Sequence, residues 1–105
     1  MNTKQRMTPR LHTELWTSWA SLLRSYAAAH GLHAPQHAVV EVSAAEITLR
    51  VGAHWLRFTH SAVGGTQHPD QPFHLNEDGT VTVADLPAQE MDLAAERFAR
   101  ELLNA

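Results

Sequence analysis

The sequence predicts an α+β fold with an N-terminal helix, an antiparallel sheet of about five strands and a C-terminal helix, both helices lying on one face of the sheet. Apolar residues recur at helical spacing near both ends of the chain and at every second position between residues 38 and 58. Turn signals between the alternating segments give one consistent strand register. We expect a single domain over residues 1–105, with 1–8 disordered and 61–71 a mobile loop.

The first helix is predicted from its capping residues and from one apolar half of its surface. Thr8 is a favourable N-cap, and Pro9 fits the first turn, where its missing N–H costs nothing. Gly31 is expected to end the helix in the left-handed conformation. The apolar half comprises Leu11, Leu15, Trp16, Trp19, Ala20, Leu22, Leu23, Tyr26 and Ala27.

The first three strands follow from two short turns. Gly52-Ala53 is typical of a two-residue hairpin loop with glycine at its first central position, and this turn sets Arg50 opposite Trp55. Ala44-Ala45 is taken as the preceding turn. One sheet face then carries Ala38, Val40, Val42, Ile47, Leu49, Val51, Leu56 and Phe58. The other carries Val39, Glu41, Ser43, Glu46, Thr48, Arg50, Trp55, Arg57 and Thr59.

Two further strands are predicted after the expected loop. Gly64-Gly65 and Pro69 favour a flexible loop over residues 61–71. The segment 76–79 is typical of a type I turn with a left-handed glycine, and Pro72 suggests that the strand before it lies at a sheet edge. The predicted pairs are Phe73 with Val83, His74 with Thr82, and Leu75 with Val81.

The last helix is predicted from about Pro87 to Leu103, with Asp85 near its start. Its apolar stripe consists of Met91, Ala94, Ala95, Phe98, Ala99 and Leu102. The resulting element order resembles that of the helix–sheet–helix domains of small secretion chaperones. Those domains carry an extra helix where this chain has the polar segment 61–71. The resemblance concerns element order alone, so it transfers no functional residue.

Composition excludes several classes of protein. The chain has no cysteine, which excludes disulfides and thiolate metal sites. It shows neither a secretory signal nor an apolar run long enough for a membrane span, so we expect a cytoplasmic protein without a membrane partner. The net charge of -3 at pH 7, with basic residues dispersed along the chain, argues against nucleic acid as a partner.

Histidine is unusually frequent, with eight in the chain. His30, His33 and His37 are the candidate metal ligands, because three neutral imidazoles would leave one position open on a tetrahedral ion. Their spacing matches no familiar zinc site, and the segment contains no carboxylate. His30 has a simpler interpretation as a donor to the free carbonyls at the end of the first helix. We therefore predict no metal and no cofactor.

Catalytic motifs are missing from the sequence. It contains no glycine-rich phosphate loop, nucleophile elbow or HExxH segment. His54 and His60 are expected at the rim of the apolar sheet face. The available acids fall in turns or on the opposite face, so no orienting acid is expected beside a histidine base; they are Glu41, Glu46, Asp78 and Asp85. The sequence predicts a protein that is not an enzyme.

The polar sheet face carries the candidate partner surface, formed by Val39, Arg50, Trp55 and Arg57. The register places an indole between two guanidinium groups, an arrangement that favours cation–π contacts. Tryptophan and arginine are also enriched at the centres of protein interfaces. Two alternatives remain: a solvent face whose tryptophan is shielded by arginine stems, and a platform that stacks a base of single-stranded nucleic acid.

These observations lead to one functional hypothesis and one alternative. The hypothesis is a non-enzymatic protein-interaction module that forms a homodimer, using the surface around Trp55 or the first helix. The alternative is a small-ligand or metal binder whose cleft between helices and sheet is rimmed by histidines and gated by residues 61–71. An enclosed pocket with converging histidines would favour the alternative, whereas a filled core would favour the interaction module.

Overall fold

A computed structural model of the chain describes residues 8–32 and 37–104. Its elements in chain order are α1 (Pro9–Gly31), β1 (Ala38–Val42), β2 (Glu46–Val51), β3 (His54–Thr59), β4 (Ala62–Gly65), β5 (His68–Leu75), β6 (Thr80–Val83), β7 (Gln89–Glu90) and α2 (Met91–Leu103). The described strands form one antiparallel sheet in the order β1 to β7. The predicted α+β class is confirmed, with seven strands instead of about five.

Helix α1 begins as predicted and ends differently. The Thr8 hydroxyl accepts a hydrogen bond from the Leu11 N–H at 3.1 Å, and Pro9 occupies the first turn. Residues 1–7, which cover most of the segment predicted to be disordered, lie outside the described ranges. Gly31 is the last helical residue, and Leu32 follows it with a right-handed φ of -58°. The predicted left-handed conformation at Gly31 is therefore wrong.

Strands β1 to β3 have the predicted register throughout. Val39 pairs with Arg50, and Arg50 pairs with Trp55. Gly52 has a φ of 59°, as the first central position of such a hairpin loop requires. A side chain also stabilises the turn between β1 and β2, because the Ser43 hydroxyl accepts a hydrogen bond from the Glu46 N–H at 3.1 Å.

The loop predicted over residues 61–71 is wrong, because strands β4 and β5 occupy most of it. Gly64 and Gly65 lie inside β4, where a Cβ at Gly65 would overlap the Trp55 carbonyl oxygen. Glycine is thus required for close backbone approach, not for flexibility. In this described stretch β3 leads directly to β4, so the extra helix of the secretion-chaperone domains is absent.

Strand β5 lies inside the sheet, so the predicted edge position of Pro72 is also wrong. Pro72 is paired with Ala62 of β4 on one side, and its carbonyl accepts from the Ala84 N–H at 2.9 Å on the other. The predicted pairing of β5 with β6 is confirmed. Gly79 has the expected left-handed φ, at 86°.

Helix α2 begins later than predicted, at Met91 instead of about Pro87. The two residues before it form the short strand β7, which pairs with β6. The acidic residue in the first turn is Asp92, whereas Asp85 lies outside the helix. The predicted apolar stripe is confirmed, with Leu102 half-buried and its other members buried.

An aromatic cluster joins both helices to one face of the sheet. The Trp19 ring of α1 lies 5.4 Å from Phe58 and 6.2 Å from Phe98 of α2, and the Phe58 and Phe98 rings are 5.1 Å apart, measured between centroids. Edge-to-face contacts of this kind add to the burial of apolar area. The helices also contact each other directly, since the Tyr26 hydroxyl donates to the Asp92 carboxylate at 2.5 Å. The apolar face is therefore covered, and the polar face is left outside.

Candidate functional site

The predicted partner surface is assembled on the polar face of the sheet. Val39, Arg50 and Trp55 are successive partners across β1, β2 and β3, so their side chains form one row. Arg57 lies two residues beyond Trp55 on the same strand and the same face. We call these four residues the Trp55 surface. The structure brings together all four residues that the sequence assigned to it.

One of the two arginines stacks on the indole. The Arg57 guanidinium carbon lies 4.9 Å from the centroid of the half-buried Trp55 ring, which is within the range of a cation–π contact. Arg50 instead approaches Glu41, with 3.7 Å between its Nη1 and the carboxylate oxygen. The prediction that both guanidinium groups flank the indole is therefore met by Arg57 alone.

Two ion pairs cross the face beside the tryptophan. Arg50 pairs with Glu41, and the Arg57 Nε lies 3.8 Å from the Glu46 carboxylate. All four side chains are close to half-exposed, so water weakens both attractions. Thr48 lies among these four residues, opposite Glu41 on β1 and Arg57 on β3, and is only 7% exposed although it belongs to the uncovered face.

A shallow groove extends the Trp55 surface over β4, and the sequence did not predict it. A Cβ at Gly64 would overlap the Asp70 carboxylate, so the missing side chain leaves room for that carboxylate above the strand. The groove is lined by Glu46, Trp55, Arg57, Thr59, Ala62, Val63, Gly64 and Asp70. Glycines in a strand signal a close approach, but the sequence predicts a loop where β4 and the start of its partner strand β5 lie.

The candidate metal ligands do not meet in the described part of the chain. The His30 Nε2 lies 2.8 Å from a Glu96 carboxylate oxygen on α2, and since a carboxylate only accepts, this nitrogen carries the proton. His30 therefore contacts α2, not the free carbonyls of α1. His37 is exposed just before β1, and His33 lies outside the described residues. No group of three metal-ligating side chains occurs within residues 8–32 and 37–104.

A different pair of histidines does come together, at the margin of the covered face. The His12 and His60 rings are 4.5 Å apart between centroids, and the Trp16 ring lies 4.6 Å from His60. His60 donates from Nε2 to the Ala44 carbonyl at 2.7 Å, while the Trp16 indole donates to the Ser43 carbonyl at 2.9 Å. Burial, followed by the charge of His60, lowers the pKa of His12. The cluster ties α1 to the turn between β1 and β2.

The ligand-binding alternative depends on a cleft between the helices and the sheet, and the described residues form an opening beside each helix. The one between the end of α1 and the start of β1 has a volume of about 370 Å³ and is lined in part by His37, whereas ligand pockets usually measure about 300–1,000 Å³. The one between α2 and the sheet has a volume of about 90 Å³. It is lined by Trp55, Leu56, Gln67, His68, Phe98, Glu101 and Leu102. Among the described residues His68 is the one histidine that reaches this cleft, where it lies with the polar side chains of Gln67 and Glu101.

Comparisons with protein-family models, with curated protein sequences and with solved structures find no match to the chain. Neither α1 nor α2 is both long and apolar enough to cross a lipid bilayer.

Proposed function

We propose that the chain is a non-enzymatic protein-interaction module of the cytoplasm that associates with itself through the Trp55 surface. One observation carries the proposal: Arg57 is stacked on a half-buried tryptophan on the sheet face that neither helix covers. Tryptophan and arginine dominate the energetic centres of protein interfaces. Because the stack holds the arginine in place, less side-chain entropy remains to be lost when a partner binds.

The surroundings of Trp55 support a protein partner. Val39, next to Arg50 in the same row, is 50% exposed and adds apolar area to the face on the far side of Arg50 from the indole. The ion pairs around this centre are worth little in water, about 0–1 kcal/mol each. An arriving chain can therefore exchange them for contacts with its own charged groups at small cost. An apolar centre with a charged rim is the usual anatomy of such a surface.

The balance of charges favours a second copy of the chain as that partner. The face carries two arginines, Arg50 and Arg57, and three carboxylates, Glu41, Glu46 and Asp70. In a twofold interface each patch meets its own copy, so a surface with both signs can place its arginines against the carboxylates opposite. A surface whose charges all had the same sign would repel the identical surface of the second copy.

Sedimentation velocity over a range of concentrations tests the proposal with the variant Trp55→Ala. Loss of an interface centre should cost about 2 kcal/mol of association or more, roughly a thirtyfold rise in the dissociation constant. Circular dichroism should show the fold intact, because cross-strand contacts of this kind contribute only about 0.2–1 kcal/mol to stability. The matched control is Leu93→Ala on α2, which is 58% exposed and lies away from the Trp55 surface.

Two outcomes would contradict the proposal. One is a parent chain that stays monomeric at high concentration and captures no partner through this face. The other is a dimer that Trp55→Ala and Leu93→Ala weaken equally, because the Trp55 surface would then have no special part in association.

A further inference from the structure

The two edge strands of the sheet differ in length. At one edge β7 has only two residues, Gln89–Glu90, which leaves little backbone for another strand to pair with. At the other edge β1 runs over five residues, Ala38–Val42, and β2 is its one strand neighbour within the described ranges. A long edge strand presents a row of free backbone donors and acceptors.

The hairpin geometry shows which backbone groups of β1 point outward. The Ser43 N–H donates to the Glu46 carbonyl at 2.8 Å, so Ser43 directs its backbone groups toward β2. Direction alternates along an antiparallel strand, so Val39 and Glu41 also turn inward. The N–H and C=O groups of Ala38, Val40 and Val42 consequently face away from the sheet.

Strand β1 lacks the features that normally protect an edge. Natural edge strands are guarded by lysine, by proline or by a bulge. Its sequence, AVVEV, contains neither lysine nor proline, and its pairing with β2 is continuous. Val39 is 50% exposed and Val42 is 38% exposed, so apolar side chains flank the free backbone on both faces. Glu41 is the single charge on the strand.

We infer that β1 pairs with β1 of a second copy, antiparallel and centred on Val40, to form one continuous sheet across the two chains. In this register the two Val40 residues exchange backbone hydrogen bonds, and Ala38 of each chain does so with Val42 of the other. Every outward-facing backbone group of the strand then has a partner. The pairing is isologous, as a twofold dimer requires.

Charge and shape both favour a second copy over an unrelated strand. The register sets Val39 of one chain opposite Glu41 of the other, and that carboxylate then lies across Val39 from Arg50. Arg50 already contacts Glu41 of its own chain at 3.7 Å and has donors left for a second carboxylate. On the helix side the small Ala38 meets the larger Val42, and Val40 meets its own copy.

This interface goes beyond the proposed function and rests on a different feature, the backbone of the edge strand, although Val39 belongs to both. The edge contact joins backbones, whereas the Trp55 surface joins side chains of the sheet face. Pairing at β1 would set the two Trp55 surfaces side by side, offset so that the row Trp55, Arg50 and Val39 of one chain continues into Glu41, Thr48 and Arg57 of the other. The edge contact would persist in Trp55→Ala, and association through the Trp55 surface would persist in a variant with a blocked edge, so either can fail alone.

Register-specific crosslinking tests the inference directly. The chain has no cysteine, so Val39→Cys and Glu41→Cys can be made as separate single variants. Directly opposed residues of an antiparallel pair are close enough for a disulfide, whereas two thiols both at position 39, or both at position 41, would be roughly 8 Å apart and too far. When the two variants are mixed and oxidised, a covalent dimer should appear on a non-reducing gel. Oxidation of each variant alone should give little covalent dimer. No dimer in the mixture, or equal dimer in all three samples, would overturn the inference.

A second variant, Val40→Pro, removes an outward donor while leaving the bonds between β1 and β2 untouched. Proline is tolerated at an edge strand when its missing N–H faces outward. Since two donors are lost per dimer, sedimentation should show the dissociation constant raised about tenfold or more. Val39→Pro is the contrast, because its N–H points into the sheet and its loss should lower the melting temperature. An unchanged dissociation constant in a folded Val40→Pro would overturn the inference, and should this variant not fold, the crosslinking result decides.

Discussion

The two faces of the sheet are built from alternate residues of the same strands, yet different groups bury the residues of each face. On the covered face Ile47 and Leu49 meet apolar side chains of the two helices and are excluded from water. On the uncovered face Thr48 is almost as well buried, but its cross-strand neighbours are the charged residues Glu41 and Arg57. Burial on the first face follows from packing between elements, whereas on the second Thr48 is surrounded by arginine and glutamate side chains that are themselves close to half-exposed. Only the second kind of cover can be moved aside by a partner.

The largest expected effect lies on the covered face. Phe98→Ala should lower the free energy of unfolding by about 3–5 kcal/mol, because it opens a cavity among rings that pack from both helices and the sheet. Urea denaturation followed by circular dichroism measures the loss. Leu93→Ala on the exposed side of the same helix is the control and should change stability little. A Phe98→Ala protein as stable as the parent would break the comparison, since the helix would then not cover the face.

A smaller effect separates the two glycines of β4. Gly65→Ala should destabilise the fold by about 1–3 kcal/mol, because the new methyl group meets the backbone of Trp55, which cannot move aside. Gly64→Ala should cost less, because it first meets the Asp70 carboxylate on the uncovered face. The melting temperatures of the two variants show which substitution destabilises the fold more. A reversed order would mean that the groove over Gly64 is rigid.

The smallest effect concerns pH at the margin of the covered face. The pKa of His12 is lower in the folded chain than its ordinary value of about 6.5. At a pH just below 6.5 the unfolded chain therefore binds more protons than the folded chain does. The stability linked to His12 is therefore complete above that pH and is lost as the pH falls toward the folded pKa. Urea denaturation at about pH 7.5 and 5.5 should show a larger acid-induced loss for the parent than for His12→Gln.

The exposed His74, replaced in the same way, is the control for this measurement. His60 faces His12 within the cluster and contributes to the lowered pKa through its charge, so His60→Gln should reduce the pH dependence in the same direction. Equal pH dependence in the parent and in His12→Gln would show that the cluster does not oppose charging of His12.

Sequence reasoning succeeded where structure depends on neighbouring residues. The turn at Gly52-Ala53 determined the register of β2 with β3, and that register placed Arg50 beside Trp55. The N-cap at Thr8 and the apolar spacing of α1 are equally local signals. The Trp55 surface could be predicted because all of its members lie within one meander of short turns.

It failed where a residue's role depends on a distant backbone. Gly64, Gly65 and Pro69 are typical of a loop, and only the approach of β3 and β5 shows why a strand needs them. Asp70 was missed with that strand, and so was the groove beside Trp55. Gly31 ends a helix without turning left-handed, since Leu32 continues in the right-handed conformation. At Gly64, Gly65 and Pro69 the error was to interpret a glycine or a proline as a break in structure where the sheet includes it in a strand.

The simple order of the sheet has a consequence for how the chain folds as it is made. Each strand pairs with the strand next to it in sequence, so the sheet can grow hairpin by hairpin as the nascent chain emerges. The core cannot close in the same way, because Trp19 of α1 must wait for Phe98 of α2, an element that follows every strand. Until α2 has left the ribosome, the part of the apolar face that α2 covers remains open to water and to other chains. This interval is when the growing protein is most exposed to aggregation and to capture by chaperones.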